Sequence, residues 1–526
     1  MPESPLATGV DRRSFLGLCT ALGIGGGLAG ALYREAAAQA PPPGTTGQQQ
    51  GGPVTVEIIA AAEVTLGLTF TAAEREMMVQ DLNAAVRSLV NLRSLAIPNE
   101  VAPALIFHLE APPTAASPPA AARARIRQAG RPSTGSELAF LTVAELSELV
   151  RTRAVSSEEL TKLSLQRLRQ HDPALSCVVT LTEERAIQQA RTADVEIAAG
   201  RWRGPLHGIP WGAKDLLAVP GYPTTWGSPI FKDQQLAESA TVVERLDAAG
   251  AVLVAKLSLG ELAQGDVWYG GTTKNPWNTQ QGSSGSSAGP ASATAAGLVP
   301  FSIGSETLGS IVSPSTRCGA TGLRPTFGAV SRAGAMALSW SMDKLGPICR
   351  SVEDCALVFD AIRGPDGKDL TVRAAPFAWQ PERPLGGIRV GMLAAAFAVE
   401  RATKAYDDAS LEVLRQLGVS MAAVTGPSDL PVSALRIILS AEAAAAFDEL
   451  TRENLDDLMV RQQRGAWPNS FRAARFISAV DYIQANRVRT LLMRQMDEAM
   501  RNVDVMVAPT SGGNMLLITN LTGHPT

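Results

Sequence analysis

Two glycine- and serine-rich turns and one lysine are the residues of this chain whose types and spacing could do chemistry. The first turn, QGSSGSSAGP, carries Ser286 and Ser287, and the second, GSETLGS, ends in Ser310. Upstream, Lys214 follows the apolar run GIPWGA, where a charge would be costly to bury. Tight turns of this kind suggest backbone N–H groups aimed at a ligand. Two serines and a buried lysine then make a nucleophile-and-base set.

Lys214 can act as a base only if its amine is neutral. A serine hydroxyl needs a base because it is barely acidic at neutral pH, and a lysine with the reference pKa of about 10.4 is charged there. Desolvation lowers that pKa, and the apolar neighbours Ile209, Trp211, Leu216 and Leu217 would supply it. Read alone, the segment leaves open a surface lysine in a Lys-Asp pair.

Two other serine motifs fit the sequence less well. Residues 285–289 match GxSxG, the nucleophile elbow of α/β-hydrolases, which must follow a buried strand. Here the polar stretch NPWNTQQGSS precedes it, and the only later histidine is His524. Residues 341–344 match SxxK, but the KTG element that such enzymes also need is absent from the sequence.

Buried strands alternating with helices must position these residues. A helix over residues 241–249 ends at Gly250, a natural C-cap, and runs into the apolar strand AVLVAKL. Further strand-like runs, each near a helical stretch, cover residues 298–303, 388–393 and 503–508. This pattern predicts an α/β fold with a largely parallel or mixed sheet.

The chain divides into a leader, two linkers and two folded parts. Residues 41–53 and 111–136 are rich in proline and small residues, which is typical of linkers. Between them, residues 54–110 form a small helical segment, with a helix from a Thr71–Glu74 capping box to about Leu95. Residues 137–526 form the main domain, which begins with capping boxes at Thr142–Glu145 and Ser156–Glu159.

Composition argues against several function classes. The 526 residues carry 47 basic and 50 acidic side chains, well mixed, so no electrostatic footprint for nucleic acid or an acidic membrane surface is present. Only four histidines occur, with no HExxH pattern, and the cysteines show no CxxC spacing. We therefore expect no metal and no cofactor. Single buried thiols are expected at Cys177, Cys318, Cys349 and Cys355, although a disulfide is left open.

The N-terminus reads as an export signal. Residues 11–16, DRRSFL, form a twin-arginine motif, followed by an apolar run to Leu32. Cleavage after Ala38 or Ala40 would remove a signal peptide of residues 1–40 and leave no stable membrane insertion. The expected location is periplasmic or secreted. An uncleaved membrane anchor is the alternative, although the run is short and rich in glycine for a spanning helix.

Four motifs in order carry a family resemblance: GIPWGAKD, NPWN with its Gly/Ser loop, GSETLGSIVSP and CGATGLRPTFGAVSRAG. Together they resemble the amidase signature family, from about Leu141 to the end. The register, counted from AAGLVP and from NPW, places the family's paired serines on Ser286 and Ser287. The resemblance implies the amidase signature fold, a central mixed β-sheet flanked by helices, here with an N-terminal helical extension.

The resemblance also implies a Ser–Ser–Lys triad. Ser310 would be the nucleophile, Ser286 the bridging serine after a cis peptide bond, and neutral Lys214 the base. Backbone N–H groups of Thr307, Leu308 and Gly309, with that of Ser310, would form the oxyanion hole. Ser287 would donate a hydrogen bond in support, or else be a loop hydroxyl facing water. Glu306 would be a second supporting residue.

Three residues depart from the family pattern. Leu308 replaces a glycine, which preserves a backbone donor provided that its φ is not positive. Glu306 stands where aspartate is common, and Val312 where an arginine often follows the nucleophile. Losing that cation argues against small anionic substrates.

The chain also stops at NLTGHPT, where similar proteins continue for several dozen residues, so we expect a truncated C-terminal end and an incomplete core.

These features predict an exported amidase that hydrolyses C–N bonds of small-molecule linear amides, with esters left open. A glutaminase-type subunit of an amidotransferase is the alternative within the family. A non-catalytic binding protein on the same fold is the alternative of another class. A homodimer is left open. Trp211, Trp268 and Tyr269 either line an aromatic pocket or belong to the core.

Overall fold

The computed structural model describes residues 52–98, 101–105, 130–382, 384–510 and 513–526. The predicted signal peptide and most of both predicted linkers lie outside these ranges, so export stays a prediction. Residues 56–526 form one compact unit. Within the described ranges, every helix is too short or too polar to cross a membrane.

Seventeen α-helices and thirteen strands are described. The helices are Val56–Leu66 (α1), Ala72–Arg93 (α2), Gly135–Ala139 (α3), Val143–Arg151 (α4), Ser157–Leu175 (α5), Glu183–Ala198 (α6), Thr241–Ala248 (α7), Ala288–Ala295 (α8), Val312–Cys318 (α9), Val352–Ile362 (α10), Ala394–Phe397 (α11), Lys404–Gln416 (α12), Arg436–Ala446 (α13), Asp448–Arg452 (α14), Trp467–Ala474 (α15), Ala479–Met500 (α16) and Met515–Thr522 (α17). The strands are Val178–Leu181 (β1), Pro210–Lys214 (β2), Val252–Leu257 (β3), Val267–Trp268 (β4), Gly271–Thr272 (β5), Lys274–Asn275 (β6), Asn278–Gly282 (β7), Phe301–Glu306 (β8), Thr321–Gly322 (β9), Lys344–Cys349 (β10), Val390–Met392 (β11), Met421–Ala423 (β12) and Val505–Val507 (β13).

A six-stranded sheet in the order β1-β3-β2-β8-β10-β9 forms the centre. Strand β2 runs parallel to both β3 and β8, whereas β1, β10 and β9 each join antiparallel. Strands β2, β3 and β10 are buried at every position, as expected for a sheet covered on both faces. The predicted mixed sheet of an α/β fold is confirmed.

The predicted strands exist, but one lies at different residues. The run expected at 298–303 becomes strand β8 at Phe301–Glu306, because Gly297, with φ +65°, and Pro300 shape the turn that follows α8. The runs at 388–393 and 503–508 shorten to β11 and β13. Strand β11 is the centre of a second, three-stranded sheet and pairs in parallel with both β12 and β13.

Helix capping follows the sequence closely. Thr71 with Glu74 and Thr142 with Glu145 form complete capping boxes. Ser156 also accepts from the Glu159 N–H, but the Glu159 carboxylate pairs with Arg131 instead of bonding back. That predicted box is therefore only half formed, because an ion pair competes for its carboxylate.

The N-terminal helices pack on the same body. Helix α2 lies against α15 and α16, and Arg93 forms an ion pair with Asp481 at 2.7 Å. An apolar cluster joins Leu89 and Leu92 of α2 to Leu517 and Leu521 of α17. At the end of the chain, Thr526 exchanges backbone hydrogen bonds with Arg324.

Candidate active site

The three residues predicted to form the triad lie at one edge of the central sheet. Lys214 is the last residue of β2, and Ser310 follows the end of the neighbouring strand β8 by four residues. Ser286 precedes α8 by two residues. Since β2 and β8 are parallel, their carboxyl ends meet, which is where α/β sheets commonly place ligands.

The Lys214 side chain is fully buried, and its amine lies among three hydroxyl groups, with the Ser305 carbonyl oxygen 3.4 Å away. Its Nζ lies 2.8 Å from Ser286 Oγ, 3.1 Å from Ser287 Oγ and 2.8 Å from Ser305 Oγ. Burial lowers the pKa of Lys214 well below its usual value, and the carboxylates of Asp343 and Glu306 oppose that shift without contacting the amine. The surroundings therefore favour a neutral amine.

Ser287 determines how the hydrogens around this amine are arranged. Its hydroxyl donates to the Ser305 carbonyl at 3.0 Å and accepts from the Ser305 N–H at 3.1 Å. With its own proton committed, Ser287 can only accept from Lys214. A neutral amine then has one hydrogen and one lone pair left, which the hydroxyls of Ser305 and Ser286 match. Ser287 is buried, so the alternative of a hydroxyl facing water is wrong.

The peptide bond between Gly285 and Ser286 is cis, as the resemblance implies. Gly285 is required by space: a Cβ there would lie 1.8 Å from the Gly265 carbonyl oxygen. The Ser287 N–H donates to the Ser310 carbonyl at 3.0 Å, which ties the first serine turn to the second.

The turn before Ser310 presents backbone donors. The N–H groups of Leu308, Gly309 and Ser310 donate to no acceptor within the described residues. Gly309 has φ +90°, which favours glycine, whereas Leu308 avoids the left-handed region. The leucine therefore keeps its N–H as a donor and packs its side chain into the apolar cluster beneath α17.

The Glu306 carboxylate holds the chain that follows the same turn through hydrogen bonds to backbone N–H groups. One carboxylate oxygen accepts from the N–H groups of Ile311 at 2.8 Å and Val312 at 3.0 Å. The other accepts from Arg324 at 2.7 Å and from Asn520 at 2.8 Å. Although burial raises the pKa of Glu306, Arg324 and these donors bring it below the usual value. Glu306 is therefore a charged anchor for the chain that follows Ser310.

Sequence reasoning missed several side chains of this site. Ser305 contacts the lysine amine directly, and its place beside Glu306 at the end of an apolar strand was the available signal. Asp343 accepts from the Thr307 hydroxyl at 2.6 Å. Arg324 lies within the motif CGATGLRPTFGAVSRAG, but nothing in that motif indicated its contact with Glu306. Asn520, 214 residues from Glu306, gave no signal at all.

The aromatic-pocket hypothesis is wrong for Trp211. Its ring is fully buried and stacks on Phe301, with centroids 6.1 Å apart, so it belongs to the core. Trp268 is also buried, and its Nε1 donates to the Ser176 carbonyl. The four described cysteines are free, buried thiols. No group of three metal-ligating side chains occurs in the described ranges.

Comparison with known proteins places the chain in a family. A family model described as Amidase matches residues 159–525. A glutamyl-tRNA(Gln) amidotransferase subunit from Anaeromyxobacter dehalogenans is 34% identical over 417 residues, covering 74% of this chain and 85% of that protein. The corresponding protein from Dechloromonas aromatica is 35% identical over 396 residues, covering 70% of this chain and 81% of that protein.

Solved structures agree with that placement. The peptide amidase of Stenotrophomonas maltophilia matches with a TM-score of 0.65 and 29% identity, covering 73% of this chain and 89% of that one. The family match spans well over half of the chain, and the site described above lies inside it. The protein therefore belongs to the amidase signature family, and it is an enzyme that acts on carbon–nitrogen bonds.

Proposed function

We propose that this enzyme hydrolyses linear amides through a covalent acyl-enzyme on Ser310. One observation carries the proposal: the buried amine of Lys214 lies 2.8 Å from Ser286 Oγ and 2.8 Å from Ser305 Oγ, while the proton of the third serine neighbour, Ser287, is committed to the Ser305 carbonyl. This arrangement leaves the lone pair of a neutral amine available to take a proton from Ser286.

The proposed reaction begins with two coupled proton transfers. The Ser310 hydroxyl proton passes to Ser286 Oγ as the Ser286 proton passes to Lys214 Nζ. Ser310 Oγ then forms a bond to the amide carbonyl carbon. The developing oxyanion accepts hydrogen bonds from N–H groups of the turn 307–310, and fixed donors of this kind are worth roughly 3–4 kcal/mol each.

The second half returns the protons. Ser286 gives a proton to the leaving nitrogen and recovers one from Lys214, and the carbon–nitrogen bond breaks. A water molecule then attacks the acyl carbon, losing its proton along the same route, and Ser310 leaves as a restored hydroxyl. Both halves need Lys214 to alternate between neutral and charged forms, which its burial among hydroxyls supports.

A glutaminase-type reaction is the second candidate. The curated relatives named above are glutamyl-tRNA(Gln) amidotransferase subunits at 34% and 35% identity. Such a reaction would use the same acyl-enzyme chemistry, with glutamine as the amide and its ammonia as the leaving group. Measuring ammonia release from glutamine against release from other primary amides separates the two.

Labelling with a fluorophosphonate probe tests the shared chemistry. We expect wild-type protein to label and Ser310→Ala not to label, because the probe reacts with an activated serine. Ser284→Gly is the matched control: it removes a hydroxyl from the neighbouring turn at a position with φ +62°, which glycine tolerates. A folded wild type that does not label would contradict the proposal and favour a non-catalytic binding protein.

A further inference from the structure

A cavity of about 410 Å³ opens beside the lysine site. Its lining includes Leu216, two residues after Lys214, and also Ser305 and Thr307 from the chain leading to Ser310. The Ser305 hydroxyl lies 2.8 Å from Lys214 Nζ. The cavity therefore borders the amine and the turn to which the proposed function assigns the chemistry, and its volume is typical of a small-molecule site.

Most of the remaining apolar lining comes from a loop of small and apolar residues, AGAMALSW at positions 333–340. Ala333, Ala335 and Ala337 are half-buried in this loop. The buried side chains of Met336 and Leu338 and the exposed Trp340 line the cavity with them. Alanine methyl groups line the space without filling it. The wall is thus apolar and roomy.

Backbone hydrogen bonds hold this loop in place. The Met336 N–H donates to the Leu216 carbonyl at 3.0 Å, and the Ala218 N–H donates to the Gly334 carbonyl at 2.9 Å. The Leu338 N–H donates to the Asp343 carboxylate at 2.8 Å. Because the loop is bonded to the segment that follows Lys214, the cavity is formed before any ligand binds.

The charged side chains of the wall already have partners. Arg332 donates to Asp369 at 2.9 Å, and also to the Trp340 carbonyl and the Thr371 hydroxyl. Lys368 pairs with Glu244 at 3.0 Å. In the described part of the chain, both cations of this cavity are therefore engaged by the protein itself.

The Asp343 carboxylate is engaged in the same way. One oxygen accepts from the Thr307 hydroxyl, and the other accepts from the N–H groups of Leu338 and Ser339. A substrate carboxylate or ammonium group entering this space would lose water without gaining a free counter-charge, which is costly. An apolar group would gain by leaving water.

We infer that this cavity binds an uncharged, bulky apolar substituent of the amide substrate. The inference rests on the proposed function, since it takes the neighbouring site as the reacting centre. It names the substrate class as amides bearing an aryl or long aliphatic group. It also disfavours free glutamine, whose carboxylate and ammonium groups would both lack partners in the cavity.

Filling and charging the cavity test the inference. Ala337→Phe would occupy the space, and Ala337→Arg would add an unpaired cation. Ala198→Phe and Ala198→Arg are matched controls, since Ala198 is an exposed residue of α6 outside the cavity. Ala335→Leu is a smaller filling change that keeps the test valid if the larger variants fail to fold, as judged by thermal unfolding.

The substrates are 4-phenylbutyramide, acetanilide, acetamide and glutamine. We expect wild-type kcat/KM to be at least about 10-fold higher for an aryl amide than for acetamide or glutamine, in line with the discrimination that apolar pockets achieve. 4-Phenylbutyramide carries its ring on the acyl side and acetanilide on the amine side. The ratio of their kcat/KM values therefore shows which side of the substrate enters the cavity. Ala337→Phe should raise KM for the preferred aryl amide about 10-fold or more and leave acetamide unchanged.

Binding to Ser310→Ala, measured by calorimetry with the two aryl amides, separates the two proposals. If Ser310→Ala binds an aryl amide, Ser310→Ala/Ala337→Phe does not, and the folded wild type hydrolyses no amide, the cavity assignment stands and the proposed function is overturned. Two results would overturn the cavity assignment and leave the acyl-enzyme chemistry standing. One is that the wild type prefers glutamine. The other is that neither Ala337→Phe nor Ala335→Leu affects the turnover and binding of aryl amides.

Discussion

Lys214 and Lys256 lie on neighbouring parallel strands of one sheet, and both side chains are fully buried. Their partners differ in kind. Lys256 Nζ contacts an Asp215 carboxylate oxygen at 2.7 Å, the Pro223 carbonyl at 2.6 Å and the Thr224 hydroxyl at 2.6 Å. The first two can only accept, so they require N–H donors. The three shortest contacts of Lys214 Nζ, in contrast, are with serine hydroxyls, and the Ser305 carbonyl lies farther away at 3.4 Å. Of these hydroxyls, those of Ser286 and Ser305 can donate as well as accept.

The comparison teaches that burial alone does not make a lysine a base. Burial lowers the pKa of both side chains, but a carboxylate in contact opposes the shift only at Lys256. Lys256 and Asp215 can thus remain an ion pair that joins β3 to the chain after β2. The hydroxyls of Ser286 and Ser305 can change from acceptor to donor, so Lys214 can gain and lose a proton while its hydrogen bonds are kept.

The largest expected effect comes from removing the amine of Lys214. Lys214→Met keeps a side chain of similar length without a proton acceptor, so we expect kcat/KM to fall by roughly 10²–10⁴-fold, the contribution typical of a positioned base. Lys214→Arg should be as inactive, because a guanidinium stays protonated. Thermal unfolding verifies that both variants fold. An arginine variant with the wild-type rate would contradict the role of Lys214.

The pH dependence sharpens this prediction. As pH falls through the lowered pKa of Lys214, the amine takes up a proton, and kcat/KM should decrease on the acid side. Lys344 is also buried, and its pKa is lowered to about 7, so it is a second lysine that would titrate in a pH–rate profile. The decrease of kcat/KM on the acid side should therefore persist in Lys344→Met. If it disappears in that variant, the decrease comes from Lys344 and not from Lys214, which would contradict our assignment.

Breaking the other member of the comparison should affect stability. Asp215→Asn leaves the ammonium of Lys256 buried without a counter-charge, which typically costs about 3–5 kcal/mol of unfolding free energy. Chemical denaturation measures the loss. The double variant Asp215→Asn/Lys256→Met removes both charges and should recover much of it. Equal losses in the single and double variants would show that the charge pair is not the cause.

The smallest effect is expected at Lys344, a third buried lysine. Its Nζ has no hydrogen-bond partner among the described residues. Lys344→Met should therefore raise the unfolding free energy by about 1–3 kcal/mol. The folded pKa, about 7, is below the unfolded value, so the wild type gains stability as pH rises from 7 towards 10. The advantage of the variant should be greatest at pH 7 and below and shrink at higher pH; denaturation across pH measures it.

Local signals in the sequence predicted much of the fold. Capping boxes at Thr71 and Thr142 depend on residues three apart, and they formed as predicted. The apolar runs predicted strands, but the turn after α8 moved β8 by three residues at its start. Boundaries of this kind depend on how the chain packs on the sheet, which a hydrophobic pattern does not contain.

The candidate site divides in the same way. Shared motifs set the register of Ser286, Ser287 and Ser310 and singled out Lys214, because these residues lie within short, recognisable segments. Ser305, Asp343 and Arg324 were missed, because their roles depend on which strand ends and loops meet. The spacing of residues along the chain does not indicate which of these segments come into contact.

The sequence by itself indicated the candidate reactive groups and determined the family and the mixed α/β architecture, since each depends on residue types close together along the chain. Only the tertiary structure decided which buried lysine contacts a carboxylate and which is surrounded by hydroxyls, and where the alanine-lined cavity opens. The physical reason is that a proton's location and a cavity's shape depend on atoms brought within about 3–4 Å by folding, whatever their distance along the chain.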